Sequence, residues 1–294
     1  MKPLVCFLAL LVFLIFEDSQ AFADDVSEAA RSGDIDRLIS LLDEGAPVDG
    51  TGAVQPIHFA CMAGQSDAVL VLLERGADPD AKSLIGTPLI VAAGRKNAEL
   101  VELLLAQGAD PTLAGGREEH TPLHAAAHSG ATDIVLILIE HGVDPDVRTK
   151  YGEPALHLAV MREHVETADV LRDASKWTPP QPPSEADLAA IDDETARIAV
   201  DRCTLCHSLK KDEVHSGPPL WGVFGSSVAS AQGFIYSEAM KSTEKVWDIA
   251  TLNAFIADPR MAIPGNAMAK SGDDIRVEDQ ESRWAIIAFL TRLN

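Results

Sequence analysis

Between residues 26 and 175 the chain repeats itself, and a period of this length restricts the fold more than any single motif could. The segments QPIHFACMAG, TPLIVAAGRK, TPLHAAAHSG and PALHLAVMRE place their fourth residues at His58, Ile90, His124 and His157, at intervals of 32, 34 and 33 residues. Between them run VLVLLERGADPDA, LVELLLAQGADPT and IVLILIEHGVDPDV. A unit of this length holds two short helices and a turn, and it cannot bury its own apolar face. Neighbours must therefore stack into a solenoid with a concave side. The local chemistry agrees. Thr121 can cap a helix whose first position, Pro122, has its φ preset and needs no N–H. Ile134, Leu138 and Ile139 face the stack, and Gly142 permits a left-handed exit.

The T-P-L-H and G-A-D pattern resembles the ankyrin repeat. The first unit, AARSGDIDRLISLLDEGAPVD, lacks T-P-L-H; the last has Pro154-Ala155 for Thr-Pro and Glu163 for glycine. Both departures suit terminal capping units, which makes about five repeats. Such repeats carry binding surfaces rather than chemistry.

The termini of this region set the organisation of the rest. Lys2, then the apolar run Pro3 to Phe16, then Ala21-Phe22-Ala23 read as a signal peptide cleaved before Asp24. The run is shorter than the roughly 20 residues of a spanning helix, so an uncleaved anchor is the lesser reading. After the repeats, KWTPPQPPSEAD concentrates four prolines at Pro179, Pro180, Pro182 and Pro183, a semi-rigid spacer. Ser184 and Asp187 resemble a capping box opening one helix through Arg202, with a stripe of Leu188, Ile191, Thr195, Ile198 and Ala199. A last helix, about 279–293, carries Trp284, Ile287 and Leu290. The expected division is signal peptide 1–23, repeats 24–175, linker 176–183 and a second domain 184–294.

Charge excludes some partners. The net charge is −21, with −14 over residues 24–178 and −6 over 179–294. Nucleic-acid backbones and anionic membrane surfaces are thereby disfavoured, and a protein partner with a basic face is expected.

The second domain opens on RCTLCHS, residues 202–208. Three chemistries compete for Cys-x-x-Cys-His. Structural zinc needs a further ligand pair at short spacing, and the remaining cysteine, Cys61, belongs to the repeats. A dithiol redox pair needs a surrounding βαβ pattern. Haem attachment uses the thiols of Cys203 and Cys206 and places His207 as an axial iron ligand.

The residues that follow resemble class I cytochrome c across the whole domain. GPPLWGVFG is similar to the stretch behind the proximal histidine, GFIYSEAM to the segment with a propionate-binding tyrosine, and VWDIATLNAFIADPRMAIPGNAM to the segment ending in the distal methionine. The resemblance implies one covalent haem c on Cys203 and Cys206 and axial ligation by His207 and Met268. It also implies a pocket of Pro218, Leu220, Tyr236, Trp247, Phe255, Ile263 and Pro264, with the Pro218 carbonyl accepting from the His207 ring. Six-coordinate iron has no open position, so electron carriage rather than catalysis is implied. Phe255 departs from the pattern, standing where many relatives bond the methionine sulfur with a tyrosine.

The expected architecture is all-α: an ankyrin solenoid with short β-turn fingers, a Pro-rich linker and an all-α cytochrome domain. The expected function is an exported, periplasmic electron carrier whose repeats dock a redox partner; a haem-based redox or gas sensor is the alternative. Met240 and Met261 read as packing methionines and His215 as a solvated loop histidine. His120, His124 and His128 read as repeat residues rather than a metal face, and Cys61 as a small buried helix residue.

Overall fold

A computed structural model describes residues 24–268 and 275–293. The expected signal peptide lies outside the described residues. Those residues form helices, turns and three isolated β-bridges, with no strands among them. They fall into two compact units: one runs up to Lys150 with Asp169–Leu171, and the other holds Tyr151–Ala168 and everything from Arg172 onward.

The first unit is a series of antiparallel helix pairs: α1 (residues 24–32) with α2 (Ile35–Asp43), α3 (Pro56–Ala63) with α4 (Ser66–Glu74), α5 (Pro88–Gly94) with α6 (Ala98–Ala106), and α7 (Pro122–Ser129) with α8 (Thr132–Glu140). Proline opens α3, α5 and α7 at the position where no N–H partner is needed. Asn97 and Asp34 cap the second helices of their pairs through N–H groups of Leu100 and Arg37. The core is almost entirely aliphatic: Leu38, Ile57, Leu72, Leu89, Leu100, Leu104, Leu123, Ile134 and Leu138 are fully buried. Short fingers closed by the Ser83–Gly86 and Gly115–His120 bridges join consecutive pairs. The turn between paired helices requires a left-handed residue, supplied by Gly64 and Gly130 but by Lys96 at φ 60° in the third pair.

The fifth pair is α9 (Ala155–Met161) and α10 (Val165–Ala174), which belongs, apart from Asp169–Leu171, to the second unit. Its turn places Glu163 left-handed at φ 61°. Next, the proline-rich stretch runs without helix, and buried Asn253 donates from Nδ2 to the carbonyls of Pro180 (2.8 Å) and Gln181 (3.2 Å).

The single helix expected from Ser184 through Arg202 is two, α11 (Glu185–Ala189) and α12 (Asp193–Val200). Ser184 and Asp187 do form a capping box. Asp192 ends the run, because its carboxylate accepts from Thr195 N–H at 2.8 Å and its hydroxyl at 2.7 Å, a second N-cap that competes with helix continuation. The break also re-aims the apolar face: Leu188, Ala196 and Val200 are buried, whereas Ile198, expected on the inner stripe, is exposed.

α12 packs along the terminal helix α16 (Gln280–Arg292), and Arg292 reaches back to join both sides of the break. Its guanidinium donates to the carbonyls of Leu188 (2.7 Å) and Ile191 (2.9 Å) and to Asp193 (2.8 Å). Between these ends lie α13 (Glu238–Lys241), α14 (Ile249–Ala257) and α15 (Pro259–Ala262), with long turn-rich connections. Arg283 holds one connection in place, donating to Val277 and Glu278 carbonyls at 2.8 and 2.5 Å.

Candidate functional site

The Cys-x-x-Cys-His run folds as a 3₁₀ turn, Cys203–Leu205, at the end of α12. Its geometry is local: Cys206 N–H and His207 N–H both donate to Cys203 O, at 3.2 and 3.0 Å. The two thiols are free, Cys203 partly buried and Cys206 exposed. Burial is the main cause of the raised Cys203 pKa.

His207 is held from behind. Its Nδ1 donates to Pro218 O at 2.7 Å, the most direct tie in the site. Nδ1 therefore carries the proton, and Nε2 keeps its lone pair for another partner. Burial lowers the ring's pKa, partly opposed by the Pro218 bond, so the neutral imidazole is favoured. Gly217 forms the back wall: a Cβ there would stand 2.5 Å from the His207 ring. Its own N–H donates to Cys206 O at 2.7 Å, and Leu220 N–H to Ser208 O at 2.8 Å, so the two strands of chain brace each other.

The remaining expected pocket residues divide by placement. Trp247, Phe255 and Ile263 are buried in one apolar cluster with Met240 and Ile287, and Cys203, Leu220 and Tyr236 pack against it. Trp247 meets Phe255 edge-on with ring centroids 4.9 Å apart. Tyr236 stacks edge-on with Phe234 at the same separation, and burial raises its phenol pKa. Pro264 is half-buried, at the start of the turn that leads to Met268. Met268 N–H donates to Asn266 Oδ1 at 3.0 Å, while Asn266 Nδ2 donates to the carbonyls of Pro259 (2.6 Å) and Ile263 (2.8 Å).

The donor set fits a covalently attached haem. Two free thiols three positions apart adjoin a neutral imidazole with its Nε2 uncommitted to the backbone, and a wall that accepts only glycine orients the ring. Among the described residues no group of three or more His, Cys, Asp or Glu side chains is arranged to hold a metal ion. Met240 and Met261 are buried in packing, and exposed His215 pairs with Glu213 at 3.2 Å. Cys61 is fully buried, its thiol pushed up to about 12 by desolvation, so it is inert.

Two residues that hold this site escape a sequence reading. Asn266 and Gly217 both lie inside the quoted motifs, but only the folded turn shows that one ties the methionine loop and the other abuts the imidazole. The one available signal was chemical: a small or amide side chain inside an otherwise apolar motif.

These two units define a helical-repeat solenoid and a small α-domain built around a thiol–imidazole site. The family model described as ankyrin repeats matches residues 26–115 and 89–178. The remainder is 41% identical over 97 residues to cytochrome c2 of Rhodoplanes tepidamans, covering 32% of this chain and 86% of that protein. It is 35% identical over 97 residues to cytochrome c of Euglena viridis, covering 33% and 91%. The repeats are 34% identical over 132 residues to cyclin-dependent kinase 4 inhibitor B of Homo sapiens, covering 45% and 95%. The chain belongs to the ankyrin-repeat family and, through its second part, to the c-type cytochromes.

Proposed function

We propose that the protein is an exported, periplasmic one-electron carrier whose repeats dock a redox partner protein. The observation that carries the reading is the His207 Nδ1 to Pro218 O bond behind an imidazole next to two free thiols. Cys203 and Cys206 would anchor one haem c through their thiols, His207 and Met268 would hold its iron through nitrogen and sulfur, and the apolar cluster of Leu220, Trp247, Phe255 and Ile263 would exclude water. The haem, when bound, supplies an iron centre that gains and loses one electron. Tyr236 would offer a phenol to a propionate, and the Pro218 carbonyl fixes the His207 tautomer so that Nε2 keeps its lone pair for a metal.

The repeats contribute recognition. Their net charge of −14 favours a partner with a basic face, and tethering such a partner raises its effective concentration at the haem domain. Leu84 and Ile85 are exposed in the finger between α4 and α5 and offer an apolar contact within that acidic field. No helix of the described residues is long and apolar enough to cross a membrane. With the signal removed at Asp24, the carrier is released to the periplasm.

Difference spectra of the full chain test the chemistry. The ferrous protein should not bind CO, and the sulfur-to-iron charge-transfer band of the ferric form should vanish in Met268→Ala. Ready CO binding by the unmodified protein would replace the carrier with the gas-sensor reading, in which Phe255 leaves the methionine sulfur without a tyrosine bond. For docking, Leu84→Ser with Ile85→Ser should raise KM for the co-purifying oxidoreductase and leave the spectrum alone; an unchanged KM removes the finger from the docking surface.

A further inference from the structure

The same repeat position holds a histidine three times, and the three differ in where their partners lie. His58 Nε2 bonds the carbonyls of Ala81 (3.0 Å) and Gly86 (3.1 Å), both in the connection between α4 and α5. His124 Nδ1 accepts from Thr121 N–H at 3.2 Å, inside its own turn. His157 Nδ1 instead accepts the backbone N–H of Gly265, 3.1 Å away and 108 positions along the chain. Gly265 precedes Met268 by three residues in the loop that Asn266 ties together.

Two further contacts join the same pair of segments. Gly265 is buried at φ 81°, and a Cβ there would stand 2.6 Å from Val160 Cγ1, so α9 lies directly on the loop's backbone. Arg260, 2% exposed, donates from Nη1 to Tyr151 O at 2.6 Å and places Nη2 3.9 Å from Glu153 Oε1. The segment from Pro259 to Met268 is thus gripped at its start by the approach to α9 and near its end by α9 itself.

We propose that His157 is a positioning residue for Met268: by accepting the Gly265 N–H it fixes the loop that carries the axial sulfur, and so links the fifth repeat to the reduction potential of the site. The proposal rests on Met268 being an iron ligand. A packing role alone would not need an acceptor aimed at a loop amide, and the bonds of His58 Nε2 and His124 Nδ1 stay within the repeats. Burial foremost, then the Arg260 charge, hold His157 at a pKa of about 4, which keeps the Nδ1 lone pair available at neutral pH. A partner that shifts α9 would therefore act on the methionine through one hydrogen bond and one packed glycine.

The test compares full-length His157→Leu, His157→Asn, His124→Leu and Met268→Ala. Leu keeps bulk and removes the acceptor, Asn keeps an acceptor at the same depth, and the His124 variant makes the equivalent loss inside its own repeat. His157→Leu should weaken the charge-transfer band and lower the preference for reduced iron about tenfold, a fall of about 59 mV for one electron. Asn should recover most of that shift, and His124→Leu should leave both readouts unchanged. An unchanged potential in His157→Leu, an equal shift in His124→Leu, or no recovery with Asn each overturns the proposal. If the band survives in Met268→Ala, the ligand assignment itself fails, which is a separate result. Should His157→Leu not accumulate, amide exchange at Gly265 in the unmodified protein decides: slow exchange supports the bond, and exchange as fast as an open loop overturns it.

Discussion

The repeat unit and the cytochrome-type unit solve the same problem, burying enough apolar surface, in opposite ways. The repeats do it with aliphatic side chains on short, uniform helices, where Leu72, Leu104 and Leu138 occupy equivalent buried places in successive pairs. The other unit buries Trp247, Phe255 and Ile287 among few helices, and side chains bonded to backbone carbonyls hold its long connections: Asn253, Asn266, Arg283 and Arg292. A periodic core tolerates a local exception, since its neighbours repeat the same contacts. A core assembled around one site has no spare copies, and each polar tie matters individually.

The contrast can be broken from either side. Leu138→Ala, deep in the solenoid, should cost about 2–5 kcal/mol in urea unfolding followed by far-ultraviolet circular dichroism, while the ferric spectrum stays the same. A spectral change of similar size would show that the two cores are not energetically distinct.

Acid tests the second unit. The folded His157 pKa of about 4 lies below the ordinary histidine value of 6.5, so the unfolded chain takes up the proton first. Its contribution is complete above about pH 6.5, falls as pH drops towards 4 and is constant below; the loss across that window is about 3 kcal/mol. Unfolding followed at the haem absorption should show this slope, and His157→Asn should flatten it.

Gly217→Ala should be a smaller disturbance with a sharp signature. A methyl group 2.5 Å from the His207 ring must push the imidazole off its Pro218 bond, at about 1–3 kcal/mol, visible as a shifted potential as well as lower stability. Lys96→Gly runs the other way. It relieves a left-handed non-glycine residue in a repeat turn and should stabilise the solenoid by about 1 kcal/mol, read as a higher urea midpoint.

What the amino-acid sequence reveals follows the same divide. The repeat helices are legible because each is announced by Thr-Pro or by an apolar run of helical period, and the error of any one unit is corrected by the others. The thiol–imidazole run is legible from its spacing, and the Pro218 carbonyl behind it, 11 positions on, from the resemblance of GPPLWGVFG to the cytochrome stretch. The break at Asp192 is not, since Ser184 and Asp192 are both sound caps and only Arg292, bonded to Leu188 and Ile191 from the far end of the chain, rewards using both. The partner of His157 is hidden for a related reason. Nothing in PALHLAVMRE distinguishes a ring that bonds its own turn from one that bonds a loop 108 positions away.

The bonds from Asn253 to Pro180 and Gln181 bear on how this chain can be taken apart. A proline-rich stretch invites a genetic engineer to cut there, treating it as the seam between two modules. A fragment begun at residue 184 would strip both carbonyls from a buried amide and lose Tyr151 and His157 as partners of Arg260 and Gly265; one begun after residue 160 keeps the carbonyls but still loses Tyr151 and His157. The seam visible in the composition is therefore not the seam of the fold. The fifth repeat thereby belongs structurally to the unit that carries the Cys-x-x-Cys-His run, whatever the sequence period suggests.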